Sequence, residues 1–164
     1  MPRFAANISL LFADLGFLDR VDAAAKAGFP GVECMFPYQV EAEALSDRLL
    51  AAGVPLVLMN APPGDFAGGE RGLAALPGRE AEFRDSFQVA LGYAGDVDCT
   101  QIHVMAGEGG EDDIPAALDT LVENLTYAAE EADAAGVRVL VEPILMEDYL
   151  VQRPDQALEL IRQV

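Results

Sequence analysis

Apolar runs alternate with helical patterns five times along the 164-residue chain, and this alternation constrains its fold more than any other feature. Phe4–Phe12, Gly31–Phe36, Val54–Asn60, Thr100–Ala106 and Val137–Ile144 read as strands. Phe17–Ala27, Val40–Ala52, Glu80–Ala94, Ile114–Ala135 and Pro154–Val164 read as helices. In the second helix Leu45, Leu49 and Ala52 share one face, and Gly53 follows its end, where a left-handed residue closes a helix. The fourth helix carries a stripe from Leu118 through Leu121, Val122, Leu125 and Ala128 to Ala132. Asp113 is placed to cap it, Pro115 lies in its first turn and Gly136 stops it. Five β-then-α units in a row call for an α/β fold with a parallel sheet and right-handed crossovers.

Two architectures satisfy that pattern, a doubly wound sheet and a (β/α)8 TIM barrel. The first βα turn has no G-x-G-x-x-G, which removes the main support for a dinucleotide-binding open sheet. In a barrel, functional side chains gather at the carboxyl ends of the strands. Asn7, Ser9, Glu33, Asn60, His103 and Glu142 all fall there, so the reading favours a barrel. A whole barrel takes about 250 residues. The expectation is therefore one domain over residues 1–164, an incomplete barrel of about five βα units.

The 28 acidic and 10 basic residues give a formal net charge of −18. A polyanionic partner needs a basic footprint, so nucleic acid is not an expected partner. With 52% apolar residues the chain can bury a core, which separates it from disordered sequences. No stretch approaches the roughly 20 apolar residues of a membrane span, and residues 1–12 lack the basic start and cleavage site of a secretion signal. Cys34 and Cys99, two unspaced cysteines beside apolar runs, read as buried free thiols in a reducing cytosol. The expected setting is cytoplasmic, with no membrane partner.

Glu142 is the sharpest chemical signal. The period of two in Val137–Glu142 puts Val137, Val139 and Val141 on one face and Arg138, Leu140 and Glu142 on the other. If the valines meet the helices, Glu142 points inward at the catalytic end, where a carboxylate needs a partner, a metal or a reaction. A structural glutamate is the competing reading. His103, the single histidine, shares a face with Met105 and reads either as a satisfied pocket residue or as a group for substrate or metal. The loop from Ala61 to Arg79 exceeds a mere connection and lacks the lysine and spacing of a phosphate-binding loop. As a lid or substrate loop it would offer Arg71 and Arg79 as forks for a carboxylate; as a surface loop their placement would be incidental. Asp112–Asp113 and Glu130–Glu131 read as solvated charges.

The chain resembles the hydroxypyruvate isomerase family, within the xylose-isomerase-like TIM barrels. The resemblance rests on Arg3-Phe4-Ala5-Ala6-Asn7, Gly31-Val32-Glu33 with Phe36-Pro37-Tyr38, Pro63-Gly64-Asp65 and Gly69-Glu70-Arg71-Gly72. It continues through Pro77-Gly78-Arg79-Glu80-Ala81-Glu82-Phe83-Arg84, His103-Val104-Met105-Ala106-Gly107, Val122-Glu123-Asn124-Leu125 and Glu142-Pro143-Ile144. It runs over the whole chain but matches only the N-terminal part of the family's length. One departure is Leu145, where the family usually has asparagine after Glu142-Pro143-Ile144; the segment to Tyr149 is also shorter.

The resemblance implies interconversion of hydroxypyruvate and 2-hydroxy-3-oxopropanoate (tartronate semialdehyde) through an enediol, with 2-oxo-tetronates as the alternative substrate class. It aligns Glu142 with the first of two catalytic glutamates and makes it a ligand of a divalent metal ion, Mg²⁺ or Mn²⁺, with no organic cofactor. The second glutamate and the remaining ligands would lie beyond Val164. Asn7, Arg71, Arg79 and His103 would bind a small hydroxy-oxo acid. The contrasting expectation is a non-catalytic fragment or binding module, whose two open sheet edges need cover that a homo-oligomer could supply.

Overall fold

The computed structural model describes residues 2–109 and 113–164. Its elements run β1 (Ala6–Asn7), α1 (Phe17–Lys26), β2 (Val32–Cys34), α2 (Ala42–Ala52), β3 (Leu56–Asn60), α3 (Glu80–Asp96), β4 (Gln101–His103), α4 (Ile114–Ala134), β5 (Arg138–Leu140) and α5 (Pro154–Ile161). The five strands lie side by side in chain order and every pairing is parallel. A strand order that never reverses has no topological switch point, and right-handed crossovers then put every helix on one face. This is barrel topology, as expected, here over five βα units of an incomplete barrel.

Register decides which side chains meet. Met59, Ile102 and Val139 align across β3, β4 and β5; Met59 and Ile102 are fully buried and Val139 packs against the core on the helix side. The next row, Asn60, His103 and Leu140, points to the opposite face. On the helix side Phe83, Phe87, Ala90 and Ala94 of α3 and Leu121, Leu125 and Ala128 of α4 complete the core. Val137, Val139 and Val141 all pack against that core, so the face expected to meet the helices does.

The strands are shorter than the apolar runs. The run Phe4–Phe12 yields two strand residues, because the Asn7 side chain accepts the Ser9 N–H at 3.0 Å and its carbonyl accepts Leu10 and Leu11. An Asn whose side chain bonds its own downstream backbone starts a turn. Leu10 and Leu11 accordingly end 66% and 43% exposed. The helix ends follow their signals. Asp113 Oδ1 accepts the Ala116 N–H at 3.2 Å at the start of α4, and Gly53 closes α2 at φ +68°. Asp113 is thus a cap, while Asp112 lies outside the described residues. Among the described residues no helix is long and apolar enough to cross a membrane.

Candidate active site

The strand ends converge on one cavity of about 240 Å³. Asn7, Asn60 and His103 are the last residues of β1, β3 and β4; Glu33 lies in β2, and Glu142 follows two residues after β5. Arg71 and Phe66 enter from the loop between β3 and α3, and Met105, Ile144 and Met146 add apolar wall. Hydrogen bonds fix this rim. Ser9 Oγ accepts the Met35 N–H at 2.9 Å, and the Tyr38 hydroxyl donates to the Asn60 carbonyl. Of the residues expected in a site, Asn7, Arg71, His103 and Glu142 come together here. Glu33 and Asn60, legible as strand-end polar residues but given no role from sequence, join them.

His103 is 2% exposed, and its Nε2 is buried with no hydrogen-bond partner. Burial lowers its pKa from 6.5 to about 4, so the imidazole is neutral at pH 7, with one N–H donor and one acceptor nitrogen. Its Nδ1 lies 3.9 Å from Glu142 Oε2, beyond hydrogen-bond reach. The Glu142 side chain is 55% exposed at the cavity mouth, so its carboxylate keeps its hydration and is open to a ligand. A desolvated, unpartnered imidazole nitrogen is costly in a finished core and costs nothing once a ligand oxygen fills it.

Arg71 supplies the positive charge. Its Nη1 donates to the carbonyls of Phe66 at 3.1 Å and Glu70 at 2.9 Å, and its guanidinium carbon lies 4.4 Å from the Phe66 ring centre. The Phe66 ring in turn meets Phe36 at 5.0 Å. Among the described residues no carboxylate lies within ion-pair distance of Arg71, which leaves the outer edge of its fork for an anion. Arg79 is a correction to the expected pair: it does not line the cavity. Its guanidinium is taken by Glu70 on one side and by Glu82 on the other, at 2.8 and 2.7 Å. Leu145, at the departure from the family pattern, is 87% exposed and is not among the residues that line the cavity.

For the expected cation, the donors are the test. Glu142 and His103 are the neighbouring metal-capable groups, and although Glu33 and Cys34 line the same cavity, among the described residues no three His, Cys, Asp or Glu side chains are placed to hold one metal ion. Residues of this chain alone therefore do not complete a site for Mg²⁺ or Mn²⁺, which takes about six oxygen ligands. Cys34, which lines the cavity, and Cys99 are both free and buried, and burial pushes the Cys34 thiol far up, which keeps it unreactive.

The chain is similar over its whole length to several known proteins. The 2-oxo-tetronate isomerase of Cupriavidus necator is 49% identical over 173 residues, covering 100% of this chain and 65% of the relative. The hydroxypyruvate isomerase of Escherichia coli is 42% identical, again over 100% of this chain and 65% of the relative. The chain thus spans a little under two thirds of the length of these curated relatives. A crystal structure described as an AP endonuclease, family 2, from Brucella melitensis superposes with a TM-score of 0.96 at 44% identity, over 99% of this chain and 64% of that one. An L-ribulose 3-epimerase structure shares the fold at a TM-score of 0.73 and 21% identity. The family pattern described as xylose isomerase-like TIM barrel matches residues 21–164, and with the unreversed strand order it leads to one conclusion: the chain belongs to the xylose isomerase-like TIM-barrel family.

Proposed function

We propose that the chain carries the substrate-gripping part of a sugar-acid isomerase that interconverts hydroxypyruvate and 2-hydroxy-3-oxopropanoate. The observation that carries this reading is the unpartnered Nε2 of buried His103, set beside the open carboxylate of Glu142 in a cavity where Arg71 is the one arginine among the described residues. The reading puts the substrate carboxylate on the Arg71 fork and the C2 oxygen toward His103. Glu142 is the base for the C3 proton, and Asn7 is a hydrogen-bonding partner for a hydroxyl. In the forward step a C3–H bond breaks and the C2–C3 enediol forms; the carbon proton then returns at C2. Meanwhile the C3 hydroxyl loses its proton and the C2 oxygen gains one. A neutral imidazole, with a donor and an acceptor nitrogen, suits that oxygen-to-oxygen transfer. Glu142 is also the carboxylate this chain would lend to a divalent cation, whose chemistry would be to polarise the two substrate oxygens.

Two relatives define the alternatives. Identity of 49% to a 2-oxo-tetronate isomerase favours a four-carbon acid as the second substrate reading. The name of the Brucella melitensis structure suggests DNA, but a net charge of −18 opposes the phosphate backbone, and the cavity offers one arginine in place of a basic tract. Cytoplasmic placement is part of the proposal, supported by the two free buried thiols. Incubating the chain, with Mg²⁺ or Mn²⁺, with hydroxypyruvate, 2-oxo-tetronates and an abasic-site duplex separates these readings by NMR and gel. Conversion of an acid without strand cleavage supports the isomerase. Cleavage without conversion, or failure to bind any of the acids, overturns it.

A further inference from the structure

The loop between β3 and α3 is organised around one carboxylate. Glu70 accepts the Arg79 Nη1 and Nη2 donors, the second at 3.3 Å, and also the backbone N–H of Asp65. Its backbone carbonyl accepts Arg71 Nη1 at 2.9 Å. Arg79 is braced from behind by Glu82, three residues on, in the first turn of α3. Gly64, at φ +88°, leaves room for this carboxylate: a Cβ there would fall 2.1 Å from Glu70 Oε2 and 2.9 Å from Leu73 Cδ2. The bracing therefore runs from α3 through Glu82, Arg79 and Glu70 to Arg71, whose ring-stacked guanidinium borders the cavity.

We propose that Glu70 and Arg79 are positioning residues that hold the Arg71 fork at the cavity mouth, so that recognition of the substrate carboxylate depends on an arginine that never touches it. This rests on the reading in which Arg71 binds that carboxylate. A flexible arginine loses rotamer entropy on binding; one held by two carbonyls, an aromatic face and a braced neighbour has already lost it. The clasp also explains why Arg79 is present but absent from the cavity.

The test uses the intact chain with hydroxypyruvate as probe, dihydroxyacetone as a control that lacks the carboxylate, and the arginine Nη–H signals in NMR. Arg79→Gln weakens hydroxypyruvate binding by about three- to tenfold, raises KM with kcat unchanged, and leaves dihydroxyacetone binding unaltered. The exposed-side variant Glu82→Gln preserves the loop's own contacts and gives a smaller shift in the same direction; it stands in if Arg79→Gln fails to fold. Arg79→Lys, which lacks the fork that spans two carboxylates, does not restore binding. Equal binding by the native and variant proteins, or equal weakening toward both probes, overturns the proposal. Should the native chain bind no hydroxypyruvate, the isomerase reading fails, and the Arg71 Nη–H signal, from the group that donates to the Phe66 and Glu70 carbonyls, decides the clasp separately. A protected Arg71 signal that is lost in Arg79→Gln supports the clasp, and an unchanged one overturns it.

Discussion

His103 gives the most quantitative prediction, because burial acts on a group that the chain contains only once. Its pKa is about 4 in the folded protein and 6.5 when exposed, the difference being the cost of charging an imidazole that is 2% accessible. Between these values the unfolded chain holds a proton that the folded chain lacks. Stability therefore rises with pH across that window; the contribution is complete above pH 6.5 and is lost as pH falls toward 4. The gap corresponds to about 3 kcal/mol, of which about 2–3 kcal/mol is already lost at pH 4.5. Urea unfolding of the native protein and His103→Gln, in EDTA at pH 7.5 and 4.5, isolates it, since carboxylates common to both cancel in the comparison. The variant should lose about 2–3 kcal/mol less than the native protein on acidification. The C2–H resonance of the single histidine should titrate near 4. A midpoint near 6.5, or equal acid losses for the two proteins, would refute the assignment of His103 as a dry, neutral group.

Other predictions concern the frame that holds the cavity. Gly72 sits at φ +134°, and a Cβ there would lie 2.4 Å from the Met105 carbonyl and 2.8 Å from the Gly107 nitrogen, so Gly72→Ala should cost about 2–4 kcal/mol in urea unfolding. A loss under about 0.5 kcal/mol would show that the loop does not press against the β4 end. Asn124, fully buried on α4, donates to the Ala74 carbonyl at 2.9 Å; Asn124→Ala leaves that carbonyl unpaired, and about 1–3 kcal/mol should disappear from the same measurement. Asp113→Ala removes the α4 cap and should lower stability by about 1 kcal/mol, with helical circular dichroism fraying in step.

Much of this was legible in the sequence because the βα repeat and the period of two within strands need only local information. The valine face of Val137–Glu142 located both the core side and the inward carboxylate, and the strand-end rule gathered Asn7, His103 and Glu142 into one place. Strand length was less legible. Phe4–Phe12 is apolar enough for a strand, yet the Asn7 side chain diverts the backbone, and apolarity does not record that turn. Arg79 shows the other limit. Its spacing to Glu82 is visible along the helix, but its bond to Glu70 depends on how the loop folds back, and that bond removes it from the cavity. Glu33 and Asn60 carry the same strand-end signal as Asn7 but adjoin the site only because the curved sheet brings neighbouring strand ends to a common mouth.

Under the proposed function, Glu142 moves a carbon-bound proton of a 2-oxo acid gripped in this cavity. Wash-in of deuterium from D₂O into hydroxypyruvate, followed by ¹H NMR with Mg²⁺ or Mn²⁺ present, tests it most directly because it reports the proton step without product accumulation. The native protein should exchange the C3 position, and Glu142→Gln should slow that exchange by about 10²–10⁴-fold while still binding the acid. Exchange at the native rate in Glu142→Gln would remove Glu142 as the base.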